Sequence, residues 1–471
     1  MPMTTVLHLK LGESKNVSRV WMEGEKLAKA GVRVGARYSM AEINNGRIEL
    51  REVGPEHQGQ AFTVSKRDRR GVLRPLMEIR SNDLARTFAG CEKVKVAIRA
   101  GRIVITASHV DAKRFDRSRR LIEKMRFGQP LEVCSVFHGG GILDKAVHHG
   151  MLRAGVSTAV RVAVEVESTY LEASLRNNPE LWHRDAVAVC SDVRDVDWSN
   201  GSPSCELLIG GIPCTGASKS GRAKNQLLFA EEHNDAGALF VSYLDAVRAV
   251  NPAVVIAENV PEYQSTASMA VVRSVLQSLG YRLHETVLDG AGFGCLERRR
   301  RLVIVAVCAS LPNAFDFSLL QSIKEKEASI DAVLESVPSD SPRWKHYAYL
   351  AEKAIRDKAA KKGFARQLLT GAEDGCGTIG RHYAKCRSTE PFLQHPTNPQ
   401  LSRLFTPIEH ARLKGIPAVV IQGEAETTAH ELLGQAVIYP KFEAVGFEVG
   451  RSLRAACEAL AVPSTEVLAA A

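Results

Sequence analysis

The chain has 471 residues, 45% of them hydrophobic and 24% charged, with a formal net charge of +9. That length and balance predict two or three packed domains and exclude a disordered or fibrous chain. The longest apolar runs, such as Leu302 to Cys308, are strand-sized and fall well short of the roughly 20 residues that span a bilayer, so neither a membrane anchor nor a signal peptide is expected. Ten cysteines are scattered without a CxxC pair. This argues against a disulfide framework or a metal site and for a reducing cytoplasm.

The basic character is local. Residues 1–130 carry 27 Lys and Arg against 14 Asp and Glu, and the remainder carries 35 against 39. The runs Lys66 to Arg70 and Lys113 to Arg120 are candidates for neutralising nucleic-acid phosphates. Within the first 110 residues, Leu27 followed by Asn45-Gly46-Arg47-Ile48-Glu49-Leu50 is echoed by Leu84 followed by Ala100-Gly101-Arg102-Ile103-Val104-Ile105. Each copy reads as strand, short helix and hairpin, with Asn45-Gly46 a strong turn signal. The pair predicts one β-rich basic domain over 1–125. It resembles the swapped-hairpin DNA-binding modules of bacterial toxin and antitoxin proteins.

From Leu131 strands alternate with helices: Leu131 to Phe137, Ala159 to Glu165, Val187 to Asp192, Glu206 to Ile209, Ala253 to Ala257 and Leu302 to Cys308. Amphipathic helices fall over Asp235 to Val250 and Met269 to Leu279. The pattern predicts an α/β domain on a parallel sheet over 131–310. Residues 311–400 are more polar, with one helix near Lys345 to Lys362, and predict a smaller lobe. A capping box at Thr406-Pro407-Ile408-Glu409 restarts regular structure for 401–471, which ends in a helix over Lys441 to Leu460.

Four signals carry chemistry, and each is ordinary alone. Phe137-His138-Gly139-Gly140-Gly141 joins a strand to a helix, a turn whose bare backbone lets a cofactor approach closely. Glu165 and Asp192 end the next two strands, where carboxylates can take ribose hydroxyls and an adenine amino group. Gly210-Gly211-Ile212-Pro213-Cys214-Thr215 sets a cysteine on a tight turn after a buried strand. Glu258-Asn259-Val260 ends the following strand, so a thiol and a carboxyl group converge on one crevice. Finally, Glu297-Arg298-Arg299-Arg300-Arg301 leads into a buried strand, and alternation puts Arg299 and Arg301 on one face, where guanidinium groups would lower the pKa of a neighbouring cysteine.

In this order the motifs resemble those of the DNA cytosine-5 methyltransferase family over about residues 131–460. Arg403-Leu404-Phe405-Thr406-Pro407 and Gly434-Gln435-Ala436-Val437 extend the similarity. The resemblance implies an S-adenosylmethionine-dependent, Rossmann-like catalytic domain, a target-recognition lobe at 311–400 and a C-terminal segment that returns to the catalytic domain. It implies Cys214, Glu258, Arg299 and Arg301 as catalytic residues, and Phe137, Gly139, Gly141, Glu165, Asp192, Pro213 and Gln435 around S-adenosyl-L-methionine. Lys219, Arg222 and Lys224 are its candidate phosphate contacts. His382, Tyr383, Lys385 and Arg387 lie at the family position of the target-recognition region.

The implied reaction is methylation of carbon 5 of a flipped cytosine through a covalent Cys214 intermediate. Double-stranded DNA is the implied partner, with a cognate restriction endonuclease as a candidate counterpart and a cytoplasmic, nucleoid-associated location. Three positions depart from the pattern. Thr215 follows the cysteine in place of Gln, Glu297 stands where the family has Gln, and Gln435 stands where it has Asn. Two other readings stay open: methylation of RNA cytosine, and a DNA-binding regulator that keeps the fold with weak or no turnover.

Overall fold

The computed structural model describes residues 4–461 apart from 45, 70, 100, 214–229, 234–236, 313 and 362–365. The chain divides into two compact units, residues 1–116 and 117–471, with the boundary inside the helix His109–Arg126.

The first unit is built twice over. Strands β1 (Thr5–Lys10), β2 (Gly12–Ser14) and β3 (Val17–Glu23) lead to a short helix, Glu25–Lys29, and the hairpin β4 (Arg37–Asn44) and β5 (Arg47–Val53). The same order follows again: β6 (Phe62–Thr63), β7 (Ser65–Arg69), β8 (Val72–Arg80), the helix Asn82–Thr87, β9 (Lys93–Arg99) and β10 (Arg102–Ala107). Both hairpins close on a glycine at positive φ, Gly46 at 76° and Gly101 at 77°, the conformation a tight hairpin turn demands and L-residues resist. The halves interlock in a six-stranded sheet, β1-β9-β10-β5-β4-β6, and a four-stranded one, β2-β3-β8-β7. Each order reads the same from either end once the copies are exchanged. Alternation in the strands supplies a shared core of Val20, Met22, Ile48 and Leu50 from one copy and Met77, Ile79, Ile103 and Ile105 from the other. Leu27 and Leu84 on the short helices are both fully buried. Each such side chain contributes about 1.5–3 kcal/mol, and exchanging strands makes neither half complete without the other.

The second unit is a three-layer α/β fold. Its sheet runs β13 (Trp182–Cys190), β12 (Thr158–Glu165), β11 (Leu131–Val136), β14 (Leu207–Gly211), β15 (Val254–Asn259), β17 (Arg301–Cys308), β16 (Tyr281–Leu288). One face buries Val133, Ile209, Ile256 and Val305, and the other buries Cys134, Leu208, Val255 and Ile304, which is why the central strands read as continuous apolar runs. The expected parallel sheet holds for β11 to β15 and needs correction at β17. Strand β17 runs antiparallel to both β15 and β16. Strand β16, partly exposed along its length, lacks the continuous apolar signature of its neighbours and is joined to β17 through residues 289–300, which hold only the short 3-10 turn Gly290–Phe293 and no α-helical crossover. Because β11 is flanked by β12 on one side and β14 on the other, its C-terminal end lies at the switch point where such sheets open a ligand crevice.

Residues beyond Cys308 form a second small sheet, β18-β21-β20-β19, from β18 (Lys345–His346), β19 (Gln367–Leu369), β20 (Pro391–Gln394) and β21 (Leu401–Arg403). Thr406 then caps the helix Pro407–Leu413, with the Thr406 hydroxyl bonding the Glu409 backbone and the Glu409 carboxylate bonding back. The helix Tyr439–Ala461 lies against the helix Ile142–Arg153.

The basic run in His109–Arg126 has a structural use that its composition conceals. Arg117 is 1% exposed, donates to the carbonyls of Leu279 and Gly280 at 2.7 and 2.8 Å, and stacks 3.7 Å from the Tyr281 ring. Arg120 and Lys124 both pair with the buried Glu206, at 3.1 and 2.7 Å. These cations anchor the helix to the sheet, so the expectation that the run Lys113 to Arg120 meets nucleic acid is corrected at Arg117 and Arg120, with Lys124 just beyond it. Among the described residues no helix is long and apolar enough to cross a membrane.

Candidate active site at the carboxyl ends of the central strands

The turn after β11 is shaped by positive φ angles at Phe137 (58°), Gly139 (56°) and Gly141 (71°). At Gly141 a Cβ would sit 2.5 Å from Ser174 Oγ, so only glycine lets the turn close on the buried His138. His138 is held between the hydroxyls of Ser135 (2.9 Å) and Ser174 (2.8 Å), and its Nδ1 lies 3.2 Å from Asp144. A Cβ on Gly139 would lie 4.0 Å from Gln435 Nε2, which places Gln435 beside the turn.

Glu165, at the end of β12, joins the two halves of this crevice. One carboxylate oxygen accepts the Gly139 N–H at 2.7 Å; the other accepts from Val166 and Glu167 at 3.0 Å each. Charge-assisted bonds of this kind fix the carboxylate more firmly than neutral ones would. Val166 follows it with 60% of its surface exposed, an apolar group at the rim that sequence patterning did not single out. Asp192 lies just beyond β13, beside Glu165 through the bond from Ser191 N–H to the Glu165 carbonyl (3.0 Å). Its carboxylate accepts from Arg194 Nε at 2.9 Å and from the second guanidinium nitrogen at 2.6 Å, and this pairing lowers its pKa.

The strand ends β14 and β15 meet in register, with Gly211 opposite Glu258. A Cβ on Gly211 would be 3.6 Å from the Glu258 carboxylate. Two residues further on, Pro213 ends the described segment. Cys214 and Thr215 lie outside the described residues, as do Lys219, Arg222 and Lys224. Asn259 Nδ2 donates to the Ile212 carbonyl at 3.2 Å and its Oδ1 accepts from Val260 at 2.8 Å, so Asn259 clamps the chain just before Pro213. That clamp is a role the tripeptide Glu258-Asn259-Val260 did not disclose.

The arginine segment leading into β17 keeps the expected alternation. Residues 297 and 299 are buried, 298 and 300 exposed, and Arg301 is half-buried. Arg301 Nε lies 2.8 Å from Glu258 Oε1. Arg299 donates to the carbonyls of Ile379 (3.3 Å) and Gly434 (3.1 Å), which ties the arginine segment to the segment bearing Gln435. Glu297 is fully buried and neutralised locally: Lys414 Nζ stands 3.2 Å from one oxygen, while the other accepts the Ile379 N–H at 3.2 Å and faces Arg299 at 3.5 Å. Lys414 and Lys441 are both fully buried, and desolvation pushes each ammonium down to about 7. Glu258, Arg301 and Arg299 are among the charges that act on Lys441.

Tyr383 requires a correction. It is fully buried, donates to the Pro391 carbonyl at 2.7 Å and accepts from the Phe405 N–H at 3.0 Å, so it is a core residue and cannot touch a base. Lys385 and Arg387 nearby are exposed.

Known proteins share this arrangement. The family model described as C-5 cytosine-specific DNA methylase matches residues 132–451. Type II methyltransferase M.NlaX of Neisseria lactamica is 28% identical over 275 residues, covering 57% of this chain and 82% of that protein. Type II methyltransferase M1.ScrFI of Lactococcus lactis subsp. cremoris is 26% identical over 290 residues, 60% of this chain and 69% of that protein. In fold, the second unit is similar to the Dnmt2 methyltransferase of S. pombe, with a TM-score of 0.53 and 19% identity over 70% of this chain and 100% of that one. It is also similar to the methyltransferase EhMeth of Entamoeba histolytica, with a TM-score of 0.50 and 17% identity over 69% of this chain and 98% of that one. The crevice, the ordered motifs and the family match lead to one assignment: the chain belongs to the C-5 cytosine-specific DNA methylase family, which methylates carbon 5 of cytosine in DNA with S-adenosylmethionine as methyl donor.

Proposed function

We propose that Cys214 is the nucleophile of this reaction, Glu258 its acid partner and Arg301 the group that holds Glu258 in place. The observation that carries the reading is the Glu258–Arg301 pair at 2.8 Å, set beside Gly211 three residues before the cysteine. Carbon 5 of cytosine is a weak nucleophile while the ring is aromatic. Attack of the Cys214 thiolate on carbon 6 forms an S–C bond and sends electron density toward N3, where Glu258 donates a hydrogen bond or its proton. Carbon 5 becomes electron-rich and can accept a methyl electrophile. Loss of the proton from carbon 5 then restores the ring and expels Cys214. A base inside a duplex is stacked, so the target must be flipped out before any of this can occur.

The crevice suits S-adenosylmethionine, which supplies an electrophilic methyl group on sulfur when bound. Gly139 leaves the space that a Cβ would fill beside Gln435, Glu165 is oriented toward the same turn, and Val166 offers an apolar surface at its rim. Phe137, Gly141 and Pro213 complete the backbone around it, and Asp192 closes the far side. We read Arg299 as a positioning residue through the Gly434 carbonyl, the residues near 311–400 as the target-recognition lobe, and Lys385 and Arg387 as its exposed phosphate contacts. Lys219, Arg222 and Lys224 would contact the strand that holds the flipped base. The relatives named type II methyltransferases support a modification role with a cognate endonuclease as counterpart.

Purified protein given labelled S-adenosylmethionine and a mixed-sequence DNA duplex is expected to place label on cytosine, with RNA of the same sequence neither labelled nor competing well. Label on RNA in preference to DNA would overturn the DNA reading. Tight DNA binding with no label on any duplex would make the protein a regulator on the same fold.

A further inference from the structure

The outer face of the six-stranded sheet carries a concentration of charge that the catalytic reading does not use. Alternation along β1, β9, β10 and β5 turns the apolar residues inward and leaves Lys10, Lys93, Lys95, Arg99, Arg102, Arg47 and Arg51 on the other side. They come from four strands that are distant in sequence but adjacent in the sheet, across a width of about 15 Å at the usual strand spacing.

Their register sets like charges directly opposite one another. Lys10 faces Lys93, Arg99 faces Arg102, and Arg102 faces Arg51. Such cross-strand pairs are destabilising on their own. Glu49, the only carboxylate on this side of the four strands, relieves part of the repulsion. It is fully buried under Arg102 (2.8 Å), Arg51 (3.0 Å) and Arg47 (2.7 Å), and these hydrogen bonds, Arg102's first, hold its carboxyl down to about 2. Lys10, Lys93, Lys95 and Arg99 are exposed and make no ion pair with any described residue. Lysines on an edge strand guard against aggregation, which accounts for Lys10 on β1. It does not account for β9, which is paired on both sides.

We propose that this face is a docking surface for the phosphate backbone of duplex DNA, contacted by Lys10, Lys93, Lys95 and Arg99 around the Glu49-pinned arginines. A polyanion supplies the counter-charge that the fold withholds. Besides the cations and Glu49, the face includes Val6, His8, Ala97, Val104 and Thr106, with no Phe, Tyr or Trp among its described side chains to stack on bases. Contact is therefore to phosphates, independent of sequence and steep in salt.

The test uses the full chain and a duplex of adenine and thymine only, which holds no cytosine for the catalytic crevice and so separates this surface from the methylation reading. The variant Lys10→Gln, Lys93→Gln, Lys95→Gln, Arg99→Gln should bind this duplex at least about tenfold more weakly at low salt. Its plot of log affinity against log salt should be shallower by about 3.6, since each of the four lost phosphate contacts removes ~0.9. Thermal unfolding of the variant at or above the wild-type temperature, as relief of the like-charge pairs requires, rules out damage to the fold. An unchanged salt slope overturns the proposal. So does duplex RNA of matching sequence that binds as tightly and loses the same slope in the variant, because the surface would then take polyanions in general.

Discussion

Replacing Glu258 by glutamine is expected to lower kcat for methyl transfer by about 10²- to 10⁴-fold, the range spanned by a positioned acid or base. Glutamine keeps the length and one hydrogen bond of the side chain, so the register of Gly211 against residue 258 should persist. It cannot deliver a proton to the ring nitrogen. It also leaves the Arg301 guanidinium, now 2.8 Å from a carboxylate oxygen, facing a neutral amide. Affinity for S-adenosylmethionine should stay within a few-fold, because Glu165, Gly139 and Gln435 are untouched. Single-turnover rates separate the two effects. A rate within about threefold of wild type would remove Glu258 from the chemistry.

The second large effect concerns stability. Lys414→Met is expected to destabilise the chain by about 3–5 kcal/mol in denaturant unfolding, the cost of stranding one member of a buried ion pair. Lys414 and Glu297 are both fully buried with 3.2 Å between charges, and the Glu297 carboxylate would be left with Arg299 at 3.5 Å and one backbone N–H. Glu297→Gln should be destabilising in turn, because Lys414 then has no carboxylate beside it, and Glu297→Gln with Lys414→Met should recover most of the loss. Additive losses in the double variant would contradict the pairing. The pH dependence has a definite sign. Burial depresses Lys414 and Lys441 to about 7, whereas an unfolded lysine titrates near 10.4, so between those values the unfolded chain binds more protons. Stability therefore rises with pH from about 7 toward 10, and falls as pH drops through that window because the unfolded lysines take up protons that the buried amines refuse until about 7.

Much of the site was legible because strand periodicity and chain order are local properties. Residues 297 to 300 alternate buried and exposed as they lead into β17, and Glu258 lies at a strand end beside the residues leading to Cys214. The duplication was legible for the same reason: Gly46 and Gly101 punctuate matching hairpins. Properties that depend on distant partners were not. Glu297 reads as a stray negative charge until Lys414, more than a hundred residues later, comes to lie against it. Arg117 reads as part of a solvated basic run, yet two carbonyls and the Tyr281 ring bury it. Tyr383 reads as a polar contact residue, but its hydroxyl is spent on Pro391 and Phe405. Conversely, no contiguous run announces the basic sheet face, because alternation spreads it one residue in two over four strands.

Cys214 remains the residue on which the account turns, and trapping tests it directly. Incubation with S-adenosylmethionine and a duplex bearing 5-fluorocytosine at the target should give a covalent protein–DNA adduct, since fluorine cannot leave carbon 5 as the proton does. Peptide mass spectrometry is expected to place the linkage on Cys214, and Cys214→Ser should form no adduct while still binding DNA. An adduct that survives in Cys214→Ser, or methyl transfer by wild type with no adduct on the fluorinated duplex, would contradict covalent catalysis by Cys214.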